Sequence, residues 1–273
     1  MYKLLCFDLD GTLLTSQKTI DPMTAQTVRN LSERGVEILI ATGRHVDFAM
    51  QLTESLDCPR TIVANNGALL FDTGKGRNIF ADYLENDVVN RIYQMGRELD
   101  LHALFYVDYA KEGTDLIVGP EVRIDGYEKN LVRNVNRIQM MEQMVPDRVL
   151  SIVYPGSIEV LTRMARELDD RYGSGLSHHI MAAMYKNNIM EIMNAGVTKW
   201  RAISHYAERR GLMTSEIAAF GDEVNDLPMI RGAGMGIAMK NALPIVQQSA
   251  KQVTKYTNDE SGIAHQLLEI YGE

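Results

Sequence analysis

Leu4-Leu5-Cys6-Phe7-Asp8-Leu9-Asp10-Gly11-Thr12 decides how the rest of this 273-residue chain is read. An apolar run over Leu4–Leu9 that stops on acids and glycine has the length and composition of a buried strand. Asp21-Pro22 follows as a helix start, with an acid placed to cap and proline at the first helical position. Met23, Val28 and Leu31 recur at near-helical spacing, and Gly35 stands where a helix ends. Val36–Ala41 is a second buried strand, running into Thr42-Gly43-Arg44. A helix over 45–56 and the strand Thr61–Ala64 come next. Strands alternating with helices imply a parallel sheet with right-handed crossovers. Ala68–Phe71 and Asn78–Ala81 flank Asp72-Thr73-Gly74-Lys75-Gly76 as a hairpin.

The texture changes between about 83 and 190. Helices are expected over 86–99 and 157–170, and strands over 101–107, 114–118, 148–154, 177–184 and 188–193. The strands are more polar, as in an α+β unit with a half-exposed sheet. From about 196 the first texture returns. Thr198–Arg210 reads as helix, Ile217–Phe220 as a buried strand ending Gly221-Asp222, Leu227–Arg231 as helix, Gly234–Ala238 as strand, and a last helix ends near Ile270. The expected fold is a doubly wound, Rossmann-like α/β core over 1–82 and 191–273, interrupted by an inserted α+β domain over 83–190.

Composition narrows the class. Apolar residues make up 45% and charged residues 23%, which excludes a disordered chain. No run approaches the ~20 apolar residues that a membrane helix needs, and the N-terminus reads as a first strand and not as a secretory signal. Two cysteines, Cys6 and Cys58, supply neither a disulfide framework nor paired zinc spacing, so a reducing cytoplasm is expected. A net charge of -8 argues against nucleic acid or an anionic membrane as partner. An anionic substrate would need positive charge recruited locally.

In open parallel sheets, ligands bind at the carboxyl ends of the strands. Asp8 and Asp10 end the first strand, Thr42-Gly43-Arg44 the second, and Gly221-Asp222-Glu223-Val224-Asn225-Asp226 a later one. Lys199 starts the helix that resumes the core. Asp8 and Asp10 lie on one side of a strand, and Asp222 adds a third carboxylate. Two unit charges 4 Å apart interact by roughly 4 kcal/mol at an effective dielectric near 20. Hard oxygen ligands with no supporting His or Cys point to Mg²⁺. A phosphate dianion approaches these acids only if Mg²⁺, Lys199, the Thr42 hydroxyl and backbone N–H groups reverse the balance.

Phe7-Asp8-Leu9-Asp10-Gly11-Thr12, Thr42-Gly43-Arg44, Lys199 and Gly221-Asp222-x-x-Asn225-Asp226 resemble the four motifs of the haloacid dehalogenase superfamily. Asn65-Asn66-Gly67-Ala68, Gly236-Ile237-Ala238-Met239-Lys240-Asn241-Ala242, and Val253-Thr254 with Asn258-Asp259-Glu260-Ser261-Gly262-Ile263-Ala264 resemble its Cof-type sugar-phosphate phosphatases. The insertion is similar to that branch's type II, subtype B cap. Lys199-Trp200 departs from the usual Lys-Gly, with Trp200 expected to narrow the local space. Lys240 departs from the usual Met-Gly-Asn. The resemblance implies a Mg²⁺-dependent phosphatase of small phosphorylated metabolites, working through an aspartyl-phosphate. In it Asp8 is the nucleophile and Asp10 the general acid and then base. Mg²⁺ is held by the Asp8 side chain, the Asp10 carbonyl and Asp222. Thr42, Gly43, Lys199 and Asn225 bind phosphate, and Asp226 orients Lys199 or the metal's water shell. Arg44 is the expected substrate contact outside the reacting centre, against a surface ion pair as the alternative. The insertion is expected to select substrates. Rival readings are a phosphomutase of the same superfamily and a receiver-type phospho-Asp signalling module; oligomeric state is left open.

The remaining residues read as structural. His178-His179 points to opposite faces of a strand, which disfavours a metal pair. Met140, Met141, Met144, Met181, Met184, Met190 and Met193 are expected to fill packing gaps, and Cys6 to be a small buried hydrophobe.

Overall fold

The computed structural model describes residues 1–109, 113–120, 138–141, 145–182 and 188–272. The chain divides into two compact units, Met1–Phe80 with Thr198–Glu273, and Ala81–Val197.

In the first unit, β1 (Leu4–Phe7), β2 (Glu37–Ala41) and β3 (Thr61–Ala64) come from the N-terminal segment, with β4 (Leu69–Asp72) and β5 (Arg77–Ala81) beyond them. The C-terminal segment adds β12 (Ile217–Gly221), β13 (Met235–Ala238) and β14 (Gln252–Val253). The order across the sheet is β14-β13-β12-β1-β2-β3-β4-β5. From β14 to β3 every pairing is parallel, and β3 meets β4 antiparallel. β1 sits centrally, paired with β12 on one side and β2 on the other. The strand order reverses beside β1, so the residues after β1, β2 and β12 gather at one switch point.

Local chemistry starts the helices. Asp21 caps α1 (Pro22–Glu33) by accepting from the Thr24 N–H at 2.8 Å, with Pro22 in the first turn. Thr198 caps α5 (Lys199–Arg210) by accepting from the Arg201 N–H, and Gly211 closes it in left-handed geometry. Between them in sequence come α2 (Val46–Leu52), α3 (Asn86–Glu98) and α4 (Ile158–Tyr172); α6 (Leu227–Gly232), α7 (Pro244–Ser249) and α8 (Gly262–Tyr271) follow. The helix expected over 45–56 stops at Leu52, and a separate 3₁₀ turn covers Glu54–Leu56. One face of the sheet buries Leu4, Cys6, Leu39, Val63 and Ala219 against Ala202, Ile203 and Ala207 of α5 and Met229 of α6. Cys6 is thus the buried hydrophobe expected of it.

Among the described residues, the second unit has a six-stranded sheet in the order β10-β11-β9-β6-β7-β8. Its strands are β6 (Leu104–Tyr109), β7 (Thr114–Val118), β8 (Ile138–Met140), β9 (Val149–Gly156), β10 (Leu176–Ala182) and β11 (Asn188–Asn194). Residues 183–184 of the expected strand 177–184 lie outside the described residues, as do Met144 and Met184. β8 and β14 were not anticipated, because three and two residues are too few to show alternation. The return to the core falls after Val197 instead of at 190/191, because β11 continues to Asn194. Met190 and Met193 are buried, but Met140 and Met181 are exposed, so these two fill no packing gap. Among the described residues no helix is long and apolar enough to cross a membrane.

The core of this unit lies between its sheet and α3 and α4, where Ile92, Phe105, Ile152, Tyr154, Leu161 and Met164 are buried together. The Tyr154 hydroxyl donates to the Ile92 carbonyl at 3.0 Å. A Cβ on Gly96 would stand 2.5 Å from Tyr154 Cε1. An exposed helical Gly→Ala change gains about 1 kcal/mol, whereas overpacking a core costs about 1–3 kcal/mol. With Tyr154 buried and its ring unable to move aside cheaply, the clash wins: Gly96→Ala is expected to lower stability, by up to about 2 kcal/mol, in urea melts. A gain in stability would show that the ring yields freely.

Candidate active site

The site starts where β1 ends. The Asp8 N–H donates to the Phe220 carbonyl at 3.0 Å, which fixes the residue after β1 beside the end of β12. Asp8, Asp222 and Asp226 are all buried, and each offers a carboxylate oxygen within 4.8 Å of the others. Lys199, 1% exposed at the first turn of α5, places Nζ 2.6 Å from Asp8 Oδ1 and 2.6 Å from Asp226 Oδ1. Asp226 is wholly buried, and its Oδ2 accepts from the backbone N–H groups of Asp222 and Glu223. Asp222 Oδ1 accepts from the Thr12 hydroxyl at 2.7 Å.

Two glycines make this convergence possible. Gly11 has φ +84, and a Cβ there would stand 2.2 Å from Asp222 Oδ2. Gly67 has φ +110, and a Cβ there would meet the Thr198 carbonyl oxygen at 2.2 Å, at the start of the helix that carries Lys199.

The charges do not balance within the cluster. Burial pushes the Asp8 carboxyl well above its ordinary range, Lys199 opposes this, and Asp226 and Asp222 add to it. Burial also raises Asp222, to about 6, against the Thr12 hydrogen bond and with the charges of Asp226 and Glu223. Burial works against the Lys199 ammonium, but Asp226 and Asp8 outweigh it and keep the lysine charged. Three carboxylates thus share one ammonium. Hard oxygen donors with negative charge to spare fit a hard divalent cation. Asp226 already has both oxygens engaged, so the Asp8 and Asp222 side chains are the better donors; the Asp10 side chain lies outside this cluster.

The residues after β2 and β3 form the other side. Thr42 is buried, its N–H donates to the Val63 carbonyl, and its Oγ1 accepts from the Arg44 N–H at 3.1 Å. Gly43 faces Asn66, whose Oδ1 accepts from Asn225 Nδ2 at 3.1 Å. Thr42, Gly43 and Asn225 are thus tied together through the loop after β3. Arg44 forms an ion pair, the alternative to a substrate contact: its Nε and Nη2 donate to Asp10 at 2.6 and 2.7 Å. Lys18 Nζ adds a third donor to Asp10 at 2.6 Å. Burial alone would raise Asp10, yet the hydrogen bonds and charges of Arg44 and Lys18 lower it to about 2. Held this way, Asp10 is a carboxylate that can take a proton and has none to give.

Sequence reasoning did not single out Lys18, Thr12 or Asn66 as site residues. Thr12 and Asn66 lay inside quoted motifs and needed only a partner to be noticed. Lys18 is one charge in a polar loop, and no spacing marks it. Trp200 does not line this cluster. Its ring packs against Gly232, where an added Cβ would stand 2.2 Å from Cε2, so it fills space between α5 and α6.

The sequence model of the haloacid dehalogenase-like hydrolases matches residues 5–267. The 5-amino-6-(5-phospho-D-ribitylamino)uracil phosphatase YitU of Bacillus subtilis (strain 168) is 30% identical over 98% of this chain and 97% of its own. A haloacid dehalogenase-like hydrolase from Bacteroides thetaiotaomicron, solved by crystallography, superposes with a TM-score of 0.85 at 27% identity, over 99% of this chain and all of that one. The HAD subclass IIB sugar phosphatase BT4131 superposes with a TM-score of 0.76 at 22% identity, over 99% of each chain, and supports the fold.

The raised Asp222 carboxyl makes a prediction about stability. Between about pH 4 and 6 the folded chain holds a proton there that the unfolded chain has released, so stability falls as pH rises through about 6. A cation in the cluster competes with that proton. The rise in melting temperature on adding a divalent cation is therefore expected to be larger at about pH 7.5 than at about pH 5. Thermal melts at matched ionic strength test this; an equal rise at both pH values would speak against a cation at these acids.

Proposed function

Because this chain belongs to the haloacid dehalogenase-like hydrolases, in their Cof-type branch, we propose that it hydrolyses small phosphorylated metabolites at the Asp8 cluster, with Mg²⁺ as the cation. The observation that carries this reading is the convergence of Lys199 with Asp8 and Asp226, at 2.6 Å each, beside Asp222. Mg²⁺, bound through Asp8 and Asp222, would offset the negative charge that a phosphate brings and draw density from its oxygens.

Asp8 is the nucleophile. Its carboxylate oxygen forms a bond to phosphorus as the ester oxygen leaves, giving an aspartyl-phosphate and the free alcohol. Lys199, already on Asp8 Oδ1, steadies the carboxylate and the charge collecting on the transferred group. Thr42 and Asn225 hold phosphate oxygens from the neighbouring strand ends. Asp10 gives a proton to the leaving alkoxide in the first half-reaction. In the second it takes a proton from the water that attacks phosphorus, which frees phosphate and restores the Asp8 carboxylate. The ionised state of Asp10 between Arg44 and Lys18 matches the second half. The first half requires Asp10 to leave those two cations and carry a proton.

YitU is named for a phosphorylated ribitylamino-uracil, a small polar phosphomonoester, and the substrate proposed here is of that broad kind. Rapid-quench labelling with a phosphorylated substrate is expected to place label on Asp8, and Asp8→Asn to abolish it. Label elsewhere would overturn the assignment. Asp10→Asn is expected to slow both formation and hydrolysis of the intermediate, by roughly 10²–10⁴-fold. Exhaustive chelation is expected to stop turnover and Mg²⁺ to restore it; undiminished activity in chelator would sink the metal.

A further inference from the structure

Arg44 and Lys18 converge on one carboxylate. Arg44 donates from Nε to Asp10 Oδ2 at 2.6 Å and from Nη2 to Oδ1 at 2.7 Å, and Lys18 Nζ reaches Oδ1 at 2.6 Å. A planar fork and an ammonium around a pair of oxygens is the arrangement that recognises a carboxylate or phosphate group.

The scaffold sets the backbone that carries each cation, and for Arg44 the side chain as well. The Arg44 guanidinium carbon lies 4.6 Å over the Phe48 ring, its N–H donates to Thr42 Oγ1, and its carbonyl accepts from the Asn65 N–H. Lys18 sits at φ 59, in a turn closed by its own N–H to the Thr15 carbonyl and tied down by the Ser16 N–H on Asp259 Oδ1. Lys18 is 54% and Arg44 20% exposed on their side chains, so a ligand group can reach them.

The carboxylate that joins these cations is also the one the proposed chemistry needs at the leaving oxygen. When Asp10 turns to that task, two positive charges lose it as a partner. A phosphomonoester with a neutral leaving group offers them only water, whereas one with a second anion offers a replacement. We propose, resting on the phosphatase reading above, that Arg44 and Lys18 form a subsite for a second oxyanion on the substrate's leaving portion, which Asp10 fills in this structure. The preferred substrates are then phosphomonoesters that carry a further carboxylate or phosphate. A net charge of -8 sharpens the point, since a doubly anionic substrate needs dedicated local cations to enter.

Glycerol 3-phosphate and 3-phosphoglycerate share a carbon chain and differ in the second anion. With the full chain and Mg²⁺, kcat/KM is expected to favour 3-phosphoglycerate by about 10-fold, the scale of one charge-assisted contact in partly exposed surroundings. Raising salt from about 0.05 to about 0.5 M should compress that ratio, because the subsite is open to solvent. Lys18→Ala is expected to bring the ratio towards one and Lys18→Arg to keep most of it. Inhibition constants of the two compounds against p-nitrophenyl phosphate hydrolysis give the same comparison as binding. A wild-type ratio at or below one overturns the subsite. So does an equal loss on both compounds in Lys18→Ala, which would assign the cations to the transferred phosphoryl group. If p-nitrophenyl phosphate is not hydrolysed at all, the phosphatase reading falls instead, and calorimetric binding of the two compounds still decides the subsite.

Discussion

An ammonium buried between two carboxylates is the interaction on which the first unit's site depends. Lys199 is almost without solvent, and its charge persists only because Asp8 and Asp226 sit at 2.6 Å on either side. Removing one partner of such a pair leaves an uncompensated buried charge, a penalty of about 3–5 kcal/mol. The arrangement is also overloaded, since Asp222 adds a carboxylate that Lys199 does not neutralise. Fold and chemistry therefore pull on the same atoms: the acids that need a cation are the ones that fix the ends of β1 and β12.

The backbone around the cluster is shaped by that demand. Gly11 and Gly67 leave room where a Cβ would collide with Asp222 and with the start of α5. Asn241 donates to the Gly11 carbonyl and accepts from the Asn258 N–H, while Asn258 Nδ2 donates to the Leu14 carbonyl. The C-terminal segment thus laces down the loop after β1, which carries Asp10, Thr12 and Lys18. Residues more than 200 positions apart in the chain cooperate because β12 returns to the sheet beside β1, with β13 next to it.

Asp10 follows a different logic from Asp8. Both follow β1, two residues apart, and strand alternation predicts a shared side. The structure separates them: Asp8 turns into the buried cluster and Asp10 towards Arg44 and Lys18, partly exposed. Burial and like charges raise one carboxyl, whereas three charged donors lower the other. Taken alone, these shifts run against an ionised nucleophile and a protonated acid, so the roles proposed for Asp8 and Asp10 call for a cation at the Asp8 cluster and for Asp10 to part from Arg44 and Lys18.

The sequence by itself determined the kind and order of the main strands and helices that build the first unit, though not the two-residue β14. Leu4–Leu9, Val36–Ala41 and Ile217–Phe220 are apolar runs that end on reactive residues, and Asp21-Pro22 marks a helix start by local bonding; these signals act within a few residues. It also showed that Asp8 and Asp222 would share a sheet edge and call for a cation. Tertiary structure alone decided how the charges pair. Lys18 reaches Asp10 from a left-handed turn, Arg44 turns to that same carboxylate, and Asn66 joins Gly43 to Asn225. Likewise Trp200 narrows the space beside Gly232, away from the acidic cluster, and β11 extends to Asn194 before the core resumes. Hydrophobic periodicity is a local property and survives in one dimension. The partner of a charge depends on which loops close over which strand ends, and that is settled only when the sheet brings distant segments together.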